Sequence, residues 1–139
     1  MRIAVFGLGF MGSTHLKAIA TIPGAELTAV MDLDEARLSG DLSGIQGNIG
    51  GPGERMDFSS IARYRSPEEA LREPAIEVVD VCLPTHLHAP VTIAALGAGK
   101  HVLVEKPMAL DGASCDAMIA EGEKQGRMPV SYTHLTLPT

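Results

Sequence analysis

Gly7, Gly9 and Gly12 follow the apolar run Ile3-Ala4-Val5-Phe6, and Asp32 stands 20 residues beyond the last of them. Residue types and spacing suit a dinucleotide. Gly7 would let the chain turn sharply off a strand end, Gly9 would let bare backbone approach a pyrophosphate, and Gly12 would let the next helix sit close. The N–H groups and positive dipole end of that helix would then face the phosphates, so Gly7, Gly9, Phe10, Met11 and Gly12 are the residues expected there. Asp32 would accept hydrogen bonds from the adenosine ribose. The glycine pattern alone also fits a structural turn or a methyl-donor nucleoside site. What favours the dinucleotide is the context: a strand before, a helix after, and an acid at the right distance.

The elements that would position these residues alternate along the chain. Strands are expected at Arg2–Phe6, Glu26–Met31, Ile61–Tyr64, Glu77–Leu83 and His101–Glu105, each rich in apolar or β-branched residues. Helices are expected from Phe10 to about Thr21, from Leu87 to Ala98 and from Asp111 to about Gln125, with shorter ones after Asp34 and after Ser66-Pro67. Residues 39–60 hold seven prolines and glycines without a clean period. They read as a long surface loop. Strands apolar on both faces and separated by helices specify an α/β fold, a doubly wound parallel sheet. An order of 3-2-1-4-5 brings the glycine turn, Asp32, Pro84–His88 and Glu105–Pro107 to one rim.

Two longer stretches extend the pattern. Asp80-Val81-Cys82-Leu83-Pro84-Thr85-His86-Leu87-His88 and Gly99-Lys100-His101-Val102-Leu103-Val104-Glu105-Lys106-Pro107, joined to the N-terminal fingerprint, resemble the Gfo/Idh/MocA family of sugar and polyol oxidoreductases over residues 1 to about 128. The resemblance implies a Rossmann domain for NAD or NADP. It also implies a second α/β domain that holds substrate, supplies an acid/base histidine and supports a homo-oligomer. Lys106 matches the lysine that holds the reacting hydroxyl beside the nicotinamide, and Pro107 a proline often preceded by a cis bond. An ammonium there would stabilise a developing alkoxide. Pro84, Thr85 and His88 match a turn beside the cofactor, the other readings being that Thr85 only caps the following helix and His88 packs at its start, and Glu105 matches a carboxylate that either supports the site or is satisfied at a strand end. His15 reads as a core or capping histidine. Asp32, followed by Leu33, favours a ribose 2′-hydroxyl and hence NAD over NADP, although Arg37 lies five residues on.

Composition narrows the partners. The chain has 139 residues, one domain's worth, with 45% hydrophobic and 20% charged residues and a net charge of −6. No basic stripe offers itself to nucleic acid. No apolar run approaches the roughly 18 residues of a membrane span. Two cysteines, Cys82 and Cys115, make no disulfide framework, no metal-ligand spacing is present, and the start leaves no room for a signal peptide, so a cytoplasmic protein is expected. Residues 130–139 resemble the in-frame translation of a transposase sequencing adapter, the other reading being a genuine short terminal strand, since Tyr132 to Leu137 roughly alternates; on the adapter reading residues 1–129 are expected to be the dinucleotide-binding domain, without the family's C-terminal α/β domain and inactive alone. A non-catalytic, redox-sensing dinucleotide module is the alternative function.

Overall fold

The computed structural model describes residues 1–45 and 54–131. Its order is β1 (Arg2–Phe6), α1 (Phe10–Ile19), β2 (Glu26–Met31), α2 (Glu35–Leu38), β3 (Ala62–Tyr64), α3 (Pro67–Leu71), β4 (Val78–Val81), α4 (His88–Gly97), β5 (His101–Val104), α5 (Gly112–Gln125) and β6 (Pro129–Val130). One sheet runs β3-β2-β1-β4-β5-β6, and all its pairings are parallel. The five expected strands take the expected order, and β6 adds an outer strand beside β5. β6 also extends one residue into the segment read above as adapter; residues 132–139 lie outside the described residues, so that reading rests on sequence alone.

Alternation along the strands builds two cores. Ala4, Phe6, Val79, Val81, Val102 and Val104 point to one face, where Ala95 and Leu96 of α4 and Met118 of α5 cover them. Ile3, Val5 and Val30 point to the other, against Leu16 and Ile19 of α1. Each face is dry because successive strand side chains alternate sides while each helix presents one stripe. Asp34, Ser66 and Asp111 cap their helices by accepting backbone N–H bonds, and Gly126 ends α5 in the left-handed region.

Three expectations change. α1 closes at Ile19, and Thr21 falls in the turn that follows. β4 is shorter than Glu77–Leu83, so Cys82 lies just past the strand and is half-buried. Within 39–60, Leu42, Ile45 and Phe58 are buried against the α1 side of the sheet, and Asp41 and Arg55 form an antiparallel bridge. This stretch is therefore partly core and not simply surface loop; its three apolar anchors are irregularly spaced and give no period to read. Residues 46–53 lie outside the described residues.

β1 is the switch point. It pairs with β2 on one side and with β4 on the other, so the connections wind away from it in both directions and open a crevice beyond the strand ends.

Candidate functional site

A cavity of about 740 Å³ fills that crevice, a size usual for small-molecule sites. Gly7 turns at φ +93°, donating its N–H to Met31 O at 2.8 Å, and the chain enters α1 three residues later. Gly9 is the N-cap of α1 with no side-chain capping bond, and the first turn holds no acid. No side chain of the cap or the first turn therefore competes for the N–H groups at the helix start. A Cβ on Gly9 would meet nothing nearer than Arg37 Nη1 at 3.9 Å, so the space over this backbone is open. These features fit a pyrophosphate.

Asp32 sits at the end of β2 and is mostly buried. Its Oδ2 accepts the Leu8 N–H at 2.7 Å and its Oδ1 the Asp34 N–H at 2.8 Å. The carboxylate thus braces the glycine turn while lining the cavity. Arg37 lines it too, with Nη1 3.8 Å from Asp32 Oδ2.

Of the predicted residues, Gly7, Gly9, Phe10, Met11, Asp32 and Pro84 line this cavity; Gly12, Thr85, His88, Glu105 and Lys106 do not. Gly12 serves from behind, as close packing of α1 on the turn. Thr85 opens a short 3₁₀ turn and makes no cap to α4. His88 is fully buried, with Nε2 2.7 Å from Leu83 O and Nδ1 2.8 Å from Pro107 O. Its ring straps the loop after β4 to the loop after β5 and does not face the cavity. Lys106 is exposed on the loop after β5, and the Lys106–Pro107 bond is cis. Glu105 is buried and points back to α1, where its Oε1 lies 3.0 Å from His15 Nε2.

Sequence reasoning missed the other half of that contact. His15 Nδ1 also lies 2.7 Å from Asp80 Oδ2, and Cys82 Sγ lies 3.4 Å from the same nitrogen. The available signal was polarity on an apolar stripe: His15 shares a helix face with Gly12, Leu16 and Ile19, and Asp80 interrupts a run of valines. His15, Asp80 and Cys82 bring one donor atom each within 4.8 Å of one another. The donor chemistry is nonetheless that of a hydrogen-bonded cluster: both imidazole nitrogens are engaged by carboxylates, and burial, with Asp80 and Glu105 nearby, pushes the Cys82 thiol far up and keeps its proton on.

The hydrogen bond to Asp80, helped by both carboxylate charges and opposed by burial, raises the His15 pKa above its ordinary 6.5. A group whose folded pKa is raised contributes stability in full below its unfolded pKa and loses it as pH rises through the folded value. The thermal midpoint is therefore expected to fall as pH rises from about 6.5 through the raised pKa. Subtracting the melting profile of His15→Gln should remove that fall; equal pH dependence in both proteins would contradict it.

The parallel sheet, the glycine turn and the acid after β2 define a dinucleotide-binding Rossmann domain. The chain matches the family described as an oxidoreductase family with an NAD-binding Rossmann fold over residues 1–134, and it belongs to that family, Gfo/Idh/MocA. It is 34% identical over 125 residues to myo-inositol 2-dehydrogenase of Thermotoga maritima, covering 89% of this chain and 33% of that protein. It is 31% identical over 126 residues to 4-carboxy-2-hydroxymuconate-6-semialdehyde dehydrogenase of a Sphingobium species, covering 91% and 36%. The crystal structure of GenD2 from gentamicin A biosynthesis in complex with NAD superposes with a TM-score of 0.77 at 27% identity, covering 94% of this chain and 34% of that one. The chain thus spans about a third of the length of the curated relatives it matches. Among the described residues, no helix is long and apolar enough to cross a membrane.

Proposed function

We propose that this chain is the cofactor-binding part of an NAD-dependent dehydrogenase whose substrate is a sugar, polyol or related carbohydrate alcohol. The observation that carries the reading is the convergence of the uncapped start of α1, the open backbone at Gly9 and the Asp32 carboxylate on one cavity. The helix start suits a pyrophosphate, and Asp32 suits a ribose diol more than a 2′-phosphate. A bound nicotinamide would supply or accept the hydride. Lys106, on the loop held by His88, is the residue assigned to the substrate oxygen. The inositol dehydrogenase among the relatives supports a polyol, the family resemblance supports a homo-oligomer for the whole protein, and two cysteines without a disulfide framework support a cytoplasmic setting. On this reading residues 130–139 take no part in the site.

The test is a titration of the 139-residue chain with NADH, followed by nucleotide fluorescence, with folding verified by circular dichroism. Saturable binding without turnover of myo-inositol is expected. A folded chain that leaves NADH fluorescence unchanged would overturn the proposal.

A further inference from the structure

Three charged side chains remote in sequence meet behind Cys82, which itself lines the cavity. His15 comes from α1, Asp80 from β4, and Glu105 from the residue after β5. Their side chains are 16%, 4% and 8% exposed. His15 reaches one carboxylate with each ring nitrogen, at 2.7 Å and 3.0 Å. Ionised carboxylates only accept, so serving both requires two N–H donors, and only the imidazolium has them. A neutral ring would turn a lone pair toward one of two buried anions, a costly arrangement in a poorly solvated site.

The cluster's position gives it a task. α1 carries the glycine turn on its N-terminal side, and Glu105 immediately precedes Lys106. We propose that His15 is a positioning residue of the dinucleotide site: bridging Asp80 and Glu105 as an imidazolium, it fixes the helix that presents the pyrophosphate-facing backbone relative to the loop that carries Lys106. The proposal rests on the cofactor reading above. It goes beyond core packing because the same bridge spans both sides of the crevice, and because Cys82 touches both the cluster and the cavity. The groups facing His15 are Asp80 of β4, Cys82 just past it, and Glu105 beyond β5; burial pushes the thiol up and keeps its proton on, while the Asp80 hydrogen bond pushes the imidazole up and favours its charged form.

The experiment measures the NADH dissociation constant of the 139-residue chain from pH 5.5 to 9, for the wild type, His15→Gln and Glu105→Gln. Wild-type affinity is expected to hold at low pH and to weaken about tenfold as His15 loses its proton, the factor equivalent to one pKa unit of coupling. His15→Gln should bind at every pH as weakly as the wild type does at high pH, with no step. Glu105→Gln should move the step to lower pH, because one of the two anions holding the proton is gone. A histidine that only stabilises the core would lower the melting temperature of His15→Gln and leave NADH affinity at each pH as in the wild type, and that result overturns the proposal. If His15→Gln does not fold, Glu105→Gln decides: an unmoved step overturns the proposal and a lowered one supports it. Wild-type binding without a pH step sinks this inference alone, whereas no binding at any pH takes the cofactor reading down with it.

Discussion

Gly12→Ala is expected to abolish NADH binding and to destabilise the fold by about 3 kcal/mol or more, at the upper end of overpacking costs. The added Cβ would lie 1.8 Å from the Gly7 carbonyl oxygen and 2.9 Å from its carbon. No side chain can swing away, because the obstacle is backbone. Nor can Gly7 retreat: it turns at φ +93°, its N–H is bonded to Met31 O, and its own Cβ position lies 2.5 Å from Cys82 O. The helix must lift instead, which carries its N-terminus off the cavity and strains the contacts of Leu16 and Ile19. Gly9→Ala is the control. Its φ of −75° suits alanine, and its methyl would enter open space. It should melt within about 1 kcal/mol of the wild type, the ordinary cost of alanine at an N-cap. It should still weaken NADH about tenfold or more, because the methyl occupies the space a phosphate needs. Melting curves and NADH titrations of both variants separate the roles: Gly12 loses fold and binding, Gly9 binding alone. Wild-type stability in Gly12→Ala would contradict the packing argument.

The contrast between these two glycines shows what the sequence made legible. Local chemistry was readable: a glycine turn off a β-branched strand, an acid ending the next strand, side-chain caps at Asp34, Ser66 and Asp111. These depend on neighbours within a few residues, and the strand order follows from parallel pairing with helical crossovers. What could not be read was which way a side chain faces once strands and helices pack. Glu105 looks like an acid of the site because it precedes Lys106, yet it turns inward to His15, 90 residues away. Asp80 sits among valines and declares itself only when α1 lies across β4. His88, in the turn matched to a cofactor contact, spends its ring on two carbonyls. Leu42, Ile45 and Phe58 were hidden by the glycines around them, since irregular backbone gives their burial no period. These misses concern contacts made across elements, where spacing in the chain carries no information.

Asp32→Ser is expected to move cofactor preference by about a hundredfold, weakening NADH and strengthening NADPH. The argument starts from what the carboxylate already does. Its two oxygens accept the Leu8 and Asp34 N–H groups, and each keeps acceptor capacity for a ribose hydroxyl. A hydrogen bond to a charged group contributes about 1.5–3 kcal/mol, so its loss should cost NADH roughly tenfold or more. The same charge repels a 2′-phosphate. Removing it also takes one of two carboxylates from Arg37, whose Nη1 stands 3.8 Å from Asp32 Oδ2 while its Nε stays 3.8 Å from Asp34 Oδ2, and whose side chain is 38% exposed at the cavity edge. A guanidinium whose Nη1 no longer faces Asp32 is a good phosphate partner while Asp34 steadies its Nε side, which should strengthen NADPH about tenfold. Paired titrations with both nucleotides check the swing, and the NADPH gain should shrink as salt screens it. Adding Arg37→Ala to the serine variant should erase the gain while leaving the NADH loss in place. If NADH weakens and NADPH does not strengthen, the carboxylate matters only as the brace of the Leu8 turn, and a lowered melting temperature for Asp32→Ser would accompany that outcome.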